Sequence, residues 1–162
     1  MIRNLIIIDA NGRGLLSANF GECHSFGEDN ELVSGFISAV YSFSKMVDAE
    51  TVDEIQLGNL TFLLISKGNL VFALSADDEN SIEHKATLVR IIDLFEDLYD
   101  YYTVCVEPDI DIAIFKEFPK FLVDQDILQP NCGNYTECKG CPNSTRSLPV
   151  QEMTRQLDSY RT

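Results

Sequence analysis

Basic residues are scarce in this 162-residue chain: 12 Lys and Arg stand against 26 Asp and Glu, a net charge of −14. Phosphate backbones and anionic bilayers attract clustered Lys and Arg, so nucleic acid and acidic membrane surfaces are poor partners for it. Long apolar runs are also missing. No window approaches the roughly 18 uninterrupted apolar residues of a membrane helix. The opening MIRNLIIIDANG holds one Arg and a short apolar run before Asp9. It reads as a strand and not as a secretory signal. The expected compartment is the cytosol, where the 5 cysteines serve as thiols or metal ligands sooner than as a disulfide framework.

Several catalytic signatures are absent too. Asn11-Gly12-Arg13-Gly14 lacks the spacing of a phosphate-binding loop and joins two strands instead of opening a helix. There is no Gly-x-Ser-x-Gly turn, and neither His24 nor His84 shows a base with an orienting partner. Asp77-Asp78-Glu79 lacks the spacing of a calcium loop, and acids before a helix are favoured by its dipole. An enzyme finds no support in these residues.

What is present is a globular sequence with 45% hydrophobic residues and 10 Phe. Its organising stretch is NLTFLLISKGNLVFALSADD, residues 59–78. Two apolar runs flank Ser66-Lys67-Gly68-Asn69, whose Gly and Asn suit a tight turn, so a β-hairpin is predicted. Thr61, Leu63 and Ile65 alternate with Phe62 and Leu64; Leu70, Phe72 and Leu74 alternate with Val71 and Ala73. Both faces are apolar, so helices must cover each side of the sheet.

Further strands are predicted over 5–9, 15–20 and 51–57, the first two forming an N-terminal hairpin. Cys23 and His24 fall in the loop that follows. A helix capped by Asp29 or Asn30 runs to about residue 47. Its expected inner stripe is Leu32, Phe36, Val40, Phe43 and Val47, widened by Val33 and Ile37, with Ser34, Ser38, Ser42 and Lys45 toward solvent. A second helix is expected over 81–104, with His84 a solvated residue of its first turn and Asp93, Glu96, Asp97 and Asp100 an acidic flank. Asp109 is the expected cap of a third helix with Ile110, Ile114, Phe115 and Phe118 inward, and Pro119 starts a further turn.

The fold class expected is α/β (α+β): a five-stranded, mainly antiparallel sheet in the order β-β-α-β-β-β-α-α, helices on both faces, over residues 1–128. Residues 129–162 form a separate Cys-containing extension. There Cys132, Cys138 and Cys141 lie at C-x5-C-x2-C spacing in a turn-rich stretch. Thiolates bind zinc, and the Cys138–Cys141 pair has the spacing of a zinc knuckle. A closed site needs a fourth ligand, with Cys105, His84, Cys23 and His24 the candidates, and an iron–sulfur cluster makes a similar demand. A redox pair, a disulfide and plain thiols stay open beside the metal reading.

The order of elements resembles that of a longin domain, the α/β module of trafficking proteins. The resemblance covers about residues 1–121 and rests on IRNLIIIDANGRGLLSANF, the helix over 31–47, the strands EIQLGN, LTFLLISKG and LVFALSADD, and the helix after them. The related roadblock module normally opens with a helix, for which this chain has no room. The resemblance implies a non-catalytic scaffold that pairs as a homo- or heterodimer with a longin or roadblock chain. It further implies binding or regulation of a small Ras-like GTPase or a trafficking-type complex. The alternative is a metal- or redox-responsive regulator using the Cys cluster.

Overall fold

A computed structural model describes residues 1–20, 30–47, 52–58, 60–77, 80–100 and 109–129. Its centre is the expected hairpin, β4 (Leu60–Lys67) and β5 (Leu70–Ala76), in register from Thr61 opposite Ala76 to Lys67 opposite Leu70. Gly68 opens the two-residue turn at φ +57°, the left-handed conformation that a II′ turn reserves for its first position. β1 (Ile2–Asp9) pairs with β5, β2 (Gly14–Asn19) with β1, and the short β3 (Glu54–Leu57) with β4. The resulting sheet is antiparallel throughout, in the order β2-β1-β5-β4-β3.

The two faces carry the two predicted sets of side chains. Leu5, Ile7, Leu63, Phe72 and Leu74 pack beneath α2 (Ser81–Leu98), a 3-10 turn (Ile112–Phe115) and α3 (Phe118–Asp124). Ile6, Ile8, Phe62, Leu64, Val71 and Ala73 pack beneath α1 (Asn30–Met46). Register is held by a polar ladder across three strands. Asn4, fully buried, receives a hydrogen bond from Ser75 Oγ at 2.7 Å and donates to the Asn19 side chain. A one-residue slip would bury these amides unpaired.

Two helix boundaries differ from expectation. α2 stops at Leu98 and not at 104, because Tyr99 turns extended (φ −119°, ψ 124°) while its amide donates to the Phe95 carbonyl. The turn brings the Tyr99 ring within 4.8–5.8 Å of Phe95, Phe115 and Phe118. Further on, Asp111 and not Asp109 is the cap: its side chain accepts from the Ala113 amide at 2.9 Å. The segment it opens is one 3-10 turn, which buries Phe115 and leaves Ile114 exposed.

The β1–β2 turn depends on Asp9, whose Oδ1 accepts from the amides of Asn11 and Arg13, both at 2.9 Å. Gly12 sits at φ +83°, and a Cβ there would lie 2.5 Å from Ser38 Oγ on α1. Gly12→Ala is therefore expected to destabilise the fold by at least the ~1–2 kcal/mol of a left-handed L-residue. Adding Ser38→Ala should recover only the part due to the clash, as read from urea midpoints.

Candidate functional site

α1 is apolar on two sides, and the sheet takes only one of them. Val33, Ile37 and Tyr41 face inward, with Ser34 and Ser44 buried beside them. Of the predicted inner stripe, Val33 and Ile37 are buried as expected and Val40 is half-buried. Leu32, Phe36, Phe43 and Val47 are instead exposed, and Ser34, expected toward water, is buried: the helix is rotated toward its Val33–Ile37 side. The reason lies at the β1–β2 turn. Gly12 and Gly14 bring its backbone close to the helix, and only side chains as small as Ser38 and Ser34 fit above them. Rotating α1 to bury Phe36 and Phe43 would drive larger groups into that gap.

The outward face carries Leu32, Phe36, Ala39, Phe43 and Met46, spaced four, three, four and three. Leu32 is 59% exposed, Phe43 62% and Met46 82%, with Val47 alongside also exposed. This is the spacing of a helix–helix seam, with the small Ala39 at its middle where two helices approach most closely. Scattered surface apolars need no explanation, but a contiguous row on one helix marks an interaction surface.

Lys45 lies 4.5 Å from the Tyr41 ring centroid. Burial acts to raise the Tyr41 pKa, but hydrogen bonds with Ser66 and Lys45, and the ammonium charge, leave it below its ordinary value. Tyr41 thus ties the helix to the end of β4. On the sheet edge nearest β4, β3 is only four residues long, with Ile55 and Leu57 half-buried against the α1-side core and Glu54 and Gln56 exposed.

Of the residues singled out for metal binding, Cys132, Cys138 and Cys141 lie outside the described residues, as do Cys23, His24 and Cys105. Among the described residues no group of three His, Cys, Asp or Glu could hold a metal ion. His84 is described, and it corrects the expectation of a solvated side chain: it is only 8% exposed. The chain start passes close by, since the Asp77 amide donates to the Met1 carbonyl at 3.2 Å and the Met1 ammonium lies 3.0 Å from Asp77. Desolvation, with the N-terminal charge adding to it, holds the His84 pKa below 6.5 against the opposing pull of Glu83 and Asp77.

Asp77 is the anchor of this corner. Burial works to raise its pKa, but hydrogen bonds from Arg3 and from the N-terminal ammonium, with their charges, bring it below 3.8. Both groups have depressed folded-state values, so the unfolded chain binds more protons in each window and stability falls as pH falls. The His84 contribution is present above pH 6.5 and is lost from there downward; the Asp77 contribution is lost below pH 3.8. Urea midpoints measured from pH 8 to 3 should show both declines, and His84→Gln should remove the first alone.

The element order and the 2-1-5-4-3 sheet give the chain a longin/roadblock-like fold. No helix among the described residues is long and apolar enough to cross a membrane. No family model matches the chain, and no curated protein does. Among solved structures it is similar to Myxococcus xanthus MglB, at 13% identity over 60% of this chain and 80% of that one, with a TM-score of 0.45.

Proposed function

We propose that this chain is a non-catalytic interaction scaffold of longin type. It pairs through the outer face of α1 with a second longin or roadblock chain, either its own copy or a partner. The pair binds or regulates a small Ras-like GTPase or a trafficking-type complex. The observation that carries the pairing is the exposed four-three row of apolar residues on α1. A water-facing helix with apolar residues on both sides is a helix awaiting a neighbour. The GTPase or trafficking partner rests on the longin resemblance of the sequence and on the fold that agrees with it. The acidic character adds a specific expectation, because a −14 chain favours a partner face rich in Lys and Arg, mainly through on-rate and specificity.

Light scattering of the full chain tests the pairing, and titration with small Ras-like GTPases loaded with GDP or with a GTP analogue tests the partner. A dimeric mass with nucleotide-dependent binding is the expected result. A monomer that binds neither form would overturn the reading.

A zinc site at Cys132, Cys138 and Cys141 is a separate proposal, supported by thiol spacing and by the chemistry of thiolates. Elemental analysis of protein purified without chelator should find one zinc per chain, lost in Cys138→Ser. Division of the chain near residue 128 accompanies it, and it keeps Leu128, buried in the α2-side core, with the sheet domain.

A further inference from the structure

On the side of the sheet away from β3, the outer edge of β2 borders a cleft of about 490 Å³. Its lining includes Gly14 and Ser17 of β2, Glu31, Ser34 and Gly35 of α1, and Ile112 of the 3-10 turn. The Phe20 amide donates to the Arg3 carbonyl at 2.7 Å, so by alternation Ala18 and Leu16 also turn their backbone toward β1. Ser17 and Asn19 therefore turn N–H and C=O outward, and among the described residues no strand pairs with that edge.

Three features suit the cleft to an extended chain. Ser17 Oγ is buried with no hydrogen-bond partner among the described residues, a cost that an incoming polar group would remove. Gly35 leaves open space, since a Cβ there meets nothing within 4 Å. Ile112, exposed at the rim, offers an apolar contact. Charge narrows the occupant further. The Arg13 guanidinium is engaged by Asp9, with Nε 3.3 Å from Oδ2, whereas Glu31 has no ion-pair partner among the described residues. With Arg13 balanced by Asp9, Glu31 is the unbalanced charge of the lining.

We propose that β2 accepts an extended peptide segment of a partner protein by strand addition, with a Lys or Arg of that segment placed beside Glu31. Main-chain hydrogen bonds to Ser17 and Asn19 supply the affinity, and the rim supplies the choice of side chains. The cleft borders the N-terminal end of the α1 seam, since Gly35 lies one turn from Leu32 and Ala39. Its β2 edge is separate from that seam, and substitutions at Phe43 and Met46 tell the two readings apart.

The test is a display library of random twelve-residue peptides panned against the full chain, with the affinity of each enriched peptide measured by titration. Ser17→Pro removes the outward N–H while leaving the β1 ladder, as edge strands tolerate. Gly35→Leu fills the cleft and favours the helix. Enriched peptides should carry a basic residue and weaken at least tenfold with each variant, and Glu31→Lys should also weaken them. The proposal is overturned if no sequence family enriches, or if enriched peptides bind both variants as tightly as the parent. Loss of binding on substitution of Phe43 and Met46 instead would place the peptide on α1 and overturn it as well.

Discussion

Phe43→Lys combined with Met46→Lys should reduce the mass in solution from that of a dimer to the 18.2 kDa of one chain. The two side chains sit 62% and 82% exposed within a single chain, so their removal takes little from its own core. Lys is also favoured near a helix C-terminus by the dipole. The unfolding midpoint of the monomer should hence stay within the ~0.5 kcal/mol usual for surface changes. In the pair, the same lysines would be forced against a facing apolar row. Apolar anchors at such a seam are worth about 2 kcal/mol or more each, so the dissociation constant should rise at least ~100-fold. Sedimentation equilibrium at several concentrations reads the change. An unchanged dimer would move the interface off α1.

The second large effect concerns the opposite face. The Phe95 ring, fully buried, lies 5.3–5.4 Å from Phe72, Phe115 and Phe118 and 4.8 Å from Tyr99. Among the described residues it is the one ring that joins β5, α2, the 3-10 turn and α3. Phe95→Ala should lower the unfolding free energy by about 3–5 kcal/mol, the range for emptying a large aromatic site. That is a large share of the roughly 5–15 kcal/mol that folded domains possess. Urea unfolding should show the lower midpoint. A fall in the slope as well would mean that the 3-10 turn and α3 had detached from the sheet before the rest unfolds.

The residues that made the fold legible were those whose pattern admits one solution. Leu60–Lys67 and Leu70–Ala76 are apolar on both faces around a Gly-containing turn, and that combination demands a central hairpin covered on each side. α1 was harder to orient. It bears two apolar stripes, and periodicity shows both without saying which the sheet takes. The decision is made by Gly12 and Gly14, distant in sequence, which accept only Ser38 and Ser34 above them. His84 is buried because it falls on the inner stripe of α2, four residues before Leu88 and in step with Ile91, Ile92 and Phe95; its polar side chain hides that position from a reading by hydrophobicity. The edge of β2, unpaired among the described residues, has no signature in sequence, because an edge is defined by which strands lie beside it. The thiol cluster is the reverse case, visible as a motif and lying beyond the described residues.

The place of β1 in the sheet has a bearing on how the chain reaches this state. β1 lies between β2, its immediate successor, and β5, which begins roughly sixty residues later. At typical synthesis speeds of about 5–20 residues per second, that partner emerges some 3–12 s after β1. During this interval residues 5–8, Leu-Ile-Ile-Ile, can form a ladder on one side only, and the other side is an apolar strand edge open to other chains. Closing so long a loop is also entropically slow, so the central β1–β5 ladder should be the late, rate-setting event of refolding. The same pairing that holds the two halves of the finished sheet together is thus the step during which the nascent chain is most exposed to misassembly.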